Sequence, residues 1–269
     1  MRSPVVIYSL FTAMLLFCSC DTVINSLSFF PDRENLIPPE RLPSNVSDIM
    51  IEAADGVKLQ LLYMKHESRS GKALIYFHGN AGNLYDRMNE AEKIFSFGPD
   101  VIISGYRGYG RSTGEPTEEG VYTDGMCVLD YVIRTLGYAE RDIFIYGRSI
   151  GTVVAVNTAM GRELAGLLLV TPLTSASDFI REKYPDLFSF IGSGHFDSGK
   201  KISSIKSPLL VIHGTEDEVI PYSLGVKLYD AYNGEKRFVR ITGGGHNNLE
   251  FVDPAAYWEA FGTFLSQGK

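Results

Sequence analysis

Short apolar runs and longer amphipathic stretches alternate along most of this 269-residue chain. A short run rich in β-branched and aromatic residues is typical of a buried strand, whereas apolar residues three or four positions apart are typical of a helix. The runs predict strands at 72–77, 101–104, 143–146, 167–170, 209–212 and 237–241. The amphipathic stretches predict helices at 84–95, 117–136, 152–160, 221–232 and 254–265.

A different pattern precedes this alternation. Residues 47–64 alternate on either side of Asp55-Gly56, a dipeptide typical of a β-hairpin turn. Strands that alternate with helices favour an α/β fold with an open, mostly parallel sheet and helices on both faces. The hairpin would add an antiparallel edge. We therefore expect one α/β domain over residues 47–269, with a short insert at about 173–206 that hosts a lid.

Composition narrows the kind of partner and the kind of chemistry. The net charge is −7 and no basic stripe is visible, which argues against a nucleic acid partner. Cys127 is the one cysteine in the body of the chain, and no Cys-x-x-Cys or His-Glu-x-x-His pattern occurs. We expect no metal and no cofactor, and a monomer that acts on a small-molecule or acyl substrate.

The first 19 residues have the pattern of a targeting segment. Arg2 is followed by an apolar core of about a dozen residues that ends at Ser19-Cys20, too short for a comfortable membrane span. The stretch 16–20 resembles a bacterial lipoprotein lipobox, although Phe17 and Cys18 depart from the usual residues. Alternatives are an uncleaved signal anchor and a plain secretory signal.

The lipobox resemblance has consequences for localisation. It implies cleavage before Cys20, a lipid on Cys20, and a proline-containing tether over residues 20–46 that leads to the domain. Asp21 resembles an inner-membrane retention signal of Gram-negative lipoproteins. These features predict a protein of the cell envelope, attached by its N-terminal lipid to the periplasmic face of the inner membrane.

The candidate chemistry centres on Gly147-Arg148-Ser149-Ile150-Gly151, which lies between a predicted strand and a predicted helix. In this setting Gly-x-Ser-x-Gly is typical of a sharp turn that presents a nucleophilic serine hydroxyl above the sheet. The flanking glycines leave space where a Cβ atom would collide with neighbouring elements. The alternative is a glycine-flanked loop that contains an incidental serine.

A nucleophilic serine needs a base and an acid, and two later strands supply candidates. His246 follows the last strand on a glycine-rich loop, and Asp217 follows the strand at 209–212. Carboxyl ends of parallel strands share one edge of a sheet, so these side chains are expected to meet Ser149. His246 would act as base and Asp217 would fix its tautomer. For the oxyanion we expect the backbone N–H of Ile150 and a second donor from residues 78–81, with Asn80 preferred to Ala81.

Five motifs together resemble those of the α/β-hydrolase superfamily, and more narrowly the branch of α/β-hydrolase-domain depalmitoylases and related bacterial esterases. The motifs are His78-Gly-Asn-Ala-Gly-Asn83, Tyr106-Arg-Gly-Tyr-Gly-Arg-Ser112, Gly147-Arg-Ser-Ile-Gly151, His213-Gly-Thr-Glu-Asp217 and Gly245-His246. The resemblance implies a serine hydrolase, and this scaffold handles esters, thioesters and amides. We interpret the chain as a hydrolase of carboxylic esters or thioesters. Alternatives are a peptidase or amidase on the same triad, and a non-catalytic binding lipoprotein of the envelope.

Two further groups of residues have open roles. Arg107 and Arg111 lie in the 106–112 motif, where we interpret them as structural, and contact with an acidic substrate is the alternative. The insert is rich in apolar side chains that either line an acyl slot or only cover the sheet. They are Phe179, Ile180, Tyr184, Leu187, Phe188, Phe190, Ile191 and Phe196.

Overall fold

The computed structural model describes residues 20–34, 36–68, 70–184 and 192–267. The predicted signal peptide, residues 1–19, lies outside the described residues. Part of the predicted insert, residues 185–191, also lies outside them, and with it Leu187, Phe188, Phe190 and Ile191.

The described residues form strands and helices close to the predicted bounds. The strands are β1 (Phe30–Pro31), β2 (Val46–Glu52), β3 (Lys58–Met64), β4 (Ala73–Phe77), β5 (Ala81–Gly82), β6 (Asp100–Ser104), β7 (Ile143–Arg148), β8 (Gly166–Val170), β9 (Leu209–Gly214) and β10 (Lys236–Ile241). The α-helices are α1 (Cys20–Ser28), α2 (Met88–Phe95), α3 (Glu118–Arg134), α4 (Gly151–Ala159), α5 (Ala176–Lys183), α6 (Ser198–Lys201), α7 (Tyr222–Ala231), α8 (Leu249–Val252) and α9 (Pro254–Gln267). Short 3-10 helices cover Pro39–Arg41, Leu84–Arg87, Glu140–Asp142 and Ile202–Ser204. Within the described ranges, no helix is both long enough and apolar enough to cross a membrane.

Within the described residues, the main sheet has eight strands in the order β10-β9-β8-β7-β4-β6-β3-β2. The hairpin of β2 and β3 is antiparallel, and β3 is antiparallel to β6. All the other neighbours in this sheet run parallel. The α/β-hydrolase fold predicted from the motifs, with its antiparallel N-terminal hairpin, is therefore confirmed.

Helices cover both faces of the sheet, and the strand sequences explain why. Successive side chains of a strand point to opposite faces. In β4, Ala73, Ile75 and Phe77 belong to a core cluster that also contains buried residues of α3, α4 and α7, whereas Leu74 and Tyr76 belong to the cluster of the other face, with buried residues of α2 and α9. Because both faces are covered, a central strand is apolar at every position.

The start of the chain differs from the predicted tether. Residues 20–28 form helix α1 and Phe30–Pro31 pairs with Ala81–Gly82, and Ile24 and Phe29 are buried in the core. A helix this short has little stability by itself and depends on tertiary contacts, so its sequence carries a weak signal. The boundary between tether and domain at residue 46 stays a prediction.

Candidate active site

The candidate site lies at the carboxyl ends of the central strands. In the main sheet, β6 follows β4 in sequence and lies on one side of it, whereas the next strand, β7, lies on the other side of β4. In open α/β sheets, such a reversal of strand order leaves a crevice where ligands bind. The pairing of Phe77 with Gly147 brings the loop after β4 beside the turn after β7.

The turn after β7 has the geometry that the Gly-x-Ser-x-Gly pattern predicts. Ser149 has a φ of +56°, a left-handed conformation that a serine rarely adopts. A Cβ atom on Gly151 would lie 2.1 Å from the Phe77 carbonyl oxygen, and one on Gly147 would lie 2.6 Å from the Gly151 carbonyl oxygen. The two glycines therefore allow α4 to begin directly against the neighbouring strand.

The structure brings Ser149, His246 and Asp217 together in one hydrogen-bonded series. The Nε2 atom of His246 lies 2.9 Å from the Ser149 hydroxyl oxygen. The Nδ1 atom of His246 lies 2.8 Å from Oδ2 and 3.1 Å from Oδ1 of Asp217. The side chain of Asp217 is fully buried and that of His246 is 8% exposed. An Nδ1–H directed at the carboxylate leaves the Nε2 lone pair facing the serine hydroxyl.

The surroundings of Asp217 favour its ionised form. Burial opposes ionisation, but hydrogen bonds from His213 and His246 outweigh it and hold the pKa of Asp217 below its ordinary value. The Asp217 Oδ1 atom also accepts the backbone N–H groups of Val219 and Ile220, at 2.9 and 2.8 Å. His213 Nε2 lies 3.3 Å from Asp217 Oδ2 and 3.0 Å from the Ile220 carbonyl oxygen. The carboxylate is thus fixed before any substrate binds.

Both expected oxyanion positions line one cavity with Ser149. This cavity has a volume of about 140 Å³, and Asn80 and Ile150 lie on its wall. The Asn80 side-chain oxygen accepts the backbone N–H of Phe30 at 2.8 Å, and the Asn80 carbonyl accepts the Tyr109 hydroxyl at 2.7 Å. Ala81, the second candidate, is not among the described residues that line the cavity.

Most of the remaining cavity wall is apolar. Two aromatic residues of the insert, Phe179 and Phe196, lie on it, whereas Ile180 and Tyr184 are not among the described lining residues. The other lining residues are Leu27, Ser28, Leu173, Ala176, Val219 and Ile220. The composition of this wall suits an alkyl group better than a charged one.

The two arginines of the 106–112 motif make internal ion pairs. Arg107 Nη2 lies 2.7 Å from Asp124 Oδ1, and Arg107 Nη1 lies 2.9 Å from Asp55 Oδ2. Arg111 pairs with Asp48. Both guanidinium groups therefore pair with carboxylates of the fold, which supports the structural interpretation.

A buried polar cluster behind the turn was not anticipated from the sequence. Arg148 Nη1 lies 3.1 Å from Glu90 Oε1, which also accepts the hydroxyls of Tyr146 at 2.7 Å and Tyr257 at 3.2 Å. Glu90 Oε2 accepts the hydroxyl of Tyr76. Burial opposes ionisation of Glu90, but Arg148 and the hydroxyls lower its pKa overall. The cluster fixes the residue directly before Ser149. Its signal in the sequence was an arginine inside the Gly-x-Ser-x-Gly motif, two residues after a strand tyrosine.

His78 is the first residue after β4 and is fully buried beside the rings of Tyr106 and Tyr109, and we expect it to make stability dependent on pH. Burial, reinforced by Arg87 and opposed by the hydrogen bond to the Gly79 carbonyl, lowers the pKa of His78 to about 3. The unfolded chain binds this proton near pH 6.5, so we expect the contribution of His78 to the free energy of unfolding to fall by about 1.4 kcal/mol per pH unit as pH drops from about 6.5 to 3. The test is His78→Asn, whose side-chain amide can still donate a hydrogen bond to the Gly79 carbonyl. The free energy of unfolding, measured with urea between pH 6 and 4, should depend on pH less steeply in this variant than in wild type, by about 1.4 kcal/mol per pH unit. Equal slopes for the two proteins would contradict the assignment.

A serine, an aspartate and a histidine in this chain order, at the strand ends of such a sheet, define the α/β-hydrolase class. No protein-family model matches the chain. The chain is 32% identical to an uncharacterized protein of Mycobacterium tuberculosis, over 88% of this chain and 83% of the relative. It is also 32% identical to the human alpha/beta hydrolase domain-containing protein 17B, over 81% of this chain and 74% of that protein.

The solved structures agree on the fold. Esterase Pf2001 of Pyrococcus furiosus superposes with a TM-score of 0.70 at 21% identity, covering 88% of this chain and 98% of that one. The α/β hydrolase GrgF of a Penicillium species superposes with a TM-score of 0.71 at 16% identity, covering 84% and 98%. The chain therefore belongs to the α/β-hydrolase superfamily, in the branch of the alpha/beta hydrolase domain-containing proteins, as its motifs indicated, and it is a hydrolase.

Proposed function

We propose that this hydrolase cleaves carboxylic esters or thioesters through an acyl-enzyme formed on Ser149. The observation that carries the proposal is the unbroken hydrogen-bonded series from the Ser149 hydroxyl through His246 to the buried Asp217 carboxylate. A neutral serine is a weak nucleophile, and an adjacent imidazole held in one tautomer is what activates it.

Acylation follows from this arrangement. His246 Nε2 removes the hydroxyl proton as the Ser149 oxygen bonds to the substrate carbonyl carbon. The carbonyl electron pair moves to oxygen, and the resulting oxyanion accepts hydrogen bonds from the N–H of Ile150 and from Asn80. When the tetrahedral intermediate collapses, the bond to the leaving group breaks. The imidazolium then passes its proton to the leaving group, at the oxygen of an alcohol or the sulfur of a thiol. The acyl group remains on Ser149.

Deacylation repeats the same steps with water as the nucleophile. His246 takes a proton from water, and the hydroxyl oxygen bonds to the acyl carbon. Collapse breaks the bond to the Ser149 oxygen, which recovers its proton from the imidazolium, and a carboxylic acid leaves. Asp217 stays ionised throughout and stabilises the imidazolium in both halves of the reaction. Its lowered pKa supports this role.

The apolar wall and the N-terminal sequence support an acyl substrate at a membrane. Leu173, Phe179 and Phe196 offer apolar surface to an acyl group bound to Ser149. A lipid on Cys20 would hold the protein at the membrane of the cell envelope and bring the site near acylated molecules. Esterase Pf2001, which shares the fold, is named for ester hydrolysis.

Labelling with a fluorophosphonate tests the proposal directly. The reagent reacts with activated serines, so digestion and mass spectrometry should place the adduct on Ser149, and hydrolysis of nitrophenyl esters should stop in step with labelling. Folded wild-type protein that takes no label, or label on another serine, would contradict the proposal. A series of nitrophenyl esters from acetate to palmitate then measures the acyl preference, and activity that falls steadily with chain length argues against an acyl site.

A further inference from the structure

The stretch from Ile24 to Arg33, here called the N-terminal strap, lies directly over the candidate site. Its Leu27 and Ser28 line the same cavity as Ser149. Ile24 and Phe29 anchor it in the core, where they are 6% and 5% exposed. The strap therefore contributes to the wall of the site, although it precedes the predicted hydrolase domain.

The strap also pairs with the loop that carries Asn80. Phe30 and Pro31 form a parallel pair with Ala81 and Gly82. The Phe30 N–H is directed at two acceptors, the Asn80 side-chain oxygen at 2.8 Å and the Tyr109 hydroxyl oxygen at 3.1 Å. These contacts fix the position of the strap relative to Ser149.

A second set of contacts joins the strap to the insert. The Asn25 side-chain oxygen accepts the Glu118 N–H at 3.1 Å, and Glu118 Oε1 accepts the Phe196 N–H at 2.7 Å. The rings of Phe29 and Phe196 pack edge to face with centroids 6.0 Å apart. The strap is thus joined through Glu118 to Phe196, which lies in the described part of the insert and also lines the cavity.

Two apolar side chains of this cavity are exposed to solvent. Leu27 of the strap is 69% exposed and Val219 is 41% exposed. The cavity volume of about 140 Å³ is well below the roughly 300–1,000 Å³ of drug-sized ligand pockets. An acetyl group is small relative to this volume, whereas a long acyl chain exceeds it, so we expect the distal carbons of such a chain to reach the exposed apolar lining residues Leu27 and Val219.

We propose that the strap selects substrates by acyl chain length, because Leu27 contacts the part of a medium or long acyl chain that extends beyond the cavity. This inference rests on the proposed hydrolysis of acyl esters or thioesters. Apolar contact with Leu27 removes alkyl surface from water and so favours long chains over short ones. A charge at this position would lose that contact and require desolvation.

The test compares Leu27→Glu with Leu36→Glu, a substitution of the same type at an exposed residue outside the described cavity lining. Both side chains are exposed, so the carboxylates remain solvated in the folded protein. For Leu27→Glu, the ratio of kcat/KM for nitrophenyl decanoate to that for nitrophenyl acetate should fall about tenfold. For Leu36→Glu, the ratio should stay within twofold of wild type. An unchanged ratio in Leu27→Glu, or an equal fall in both variants, overturns the inference.

A binding measurement separates this inference from the proposed function. In a Ser149→Ala background, calorimetry with dodecanoate should show at least fivefold weaker binding for Leu27→Glu than for Leu36→Glu. If wild type hydrolyses esters and Leu27→Glu has the same decanoate-to-acetate ratio of kcat/KM as wild type, the role of Leu27 is wrong and the proposed reaction stands. If wild type hydrolyses no ester but dodecanoate binding depends on Leu27, the proposed reaction is wrong and the contact of Leu27 with the acyl chain stands. Equal dodecanoate binding by both variants overturns the contact itself.

Discussion

Ser149→Ala should lower kcat for nitrophenyl ester hydrolysis by roughly 10⁶-fold, since removal of an activated serine nucleophile costs about that much in well-studied serine hydrolases. The variant keeps His246, Asp217 and the cavity wall, but it has no oxygen that can bond to the acyl carbon. Residual turnover should therefore be limited to what substrate binding and the oxyanion donors supply, roughly 10³–10⁴-fold over the reaction in water. Steady-state rates of purified protein, compared with buffer alone, measure the loss.

A second serine-to-alanine substitution serves as a control for effects of purification and for loss of folded protein. Ser266 is exposed near the end of the last helix and is not among the described residues that line the cavity, so Ser266→Ala should keep wild-type kcat. Thermal unfolding of Ser149→Ala should resemble that of wild type, because alanine and serine adopt the strained φ of +56° at similar cost. More than about one hundredth of wild-type activity in Ser149→Ala would show that another group carries the reaction.

Asp217→Asn should lower kcat by roughly 10⁴-fold with little change in KM, the effect of the same change in another serine hydrolase triad. The substitution preserves shape but removes the charge that stabilises the His246 imidazolium. The amide can also donate a hydrogen bond to Nδ1, which places the imidazole proton on Nε2, where it cannot accept the Ser149 proton. Steady-state kinetics at neutral pH measure both parameters.

Two further substitutions test whether Asp217, and no other carboxylate, is the acid of the triad. Asp230→Asn, at an exposed position on α7, should have no effect on kcat. Glu218 is the neighbouring carboxylate, and its Oε2 accepts the His246 backbone N–H at 3.2 Å rather than an imidazole proton. Glu218→Gln should therefore cost much less than Asp217→Asn, and the reverse order would move the role of the acid to Glu218.

The fold was predictable because each central strand is apolar on both faces. Runs such as Ala73–Phe77 and Gly166–Val170 are buried at every residue, and helical spacing separates them along the chain. Parallel strands bring their carboxyl ends to one edge, so chain order alone placed Ser149, Asp217 and His246 near one another. The glycines of the turn followed from the same geometry.

Other parts of the site depend on contacts that leave little trace in the sequence. Helix α1 is held by a few tertiary contacts, including the hydrogen bond of Asn25 to Glu118, and the prolines after it suggested a tether. Glu90 lies 58 residues before Arg148, and no local pattern connects them. The hydrogen bond of His213 to Asp217 depends on the conformation of the loop after β9. Long-range polar contacts of this kind have no periodicity by which to find them.

Because β10 lies at the edge of the sheet, His246 and Ser149 differ in how well the strands before them resist local opening. His246 follows β10, which among the described residues pairs with β9 alone and has exposed or half-exposed residues along most of its length. Ser149 follows β7, which lies between two buried strands. Local opening has a lower free-energy cost at an edge than in the centre of a sheet. Mild heat or denaturant would therefore separate base from nucleophile while the central strands stay paired, so that inactivation precedes global unfolding.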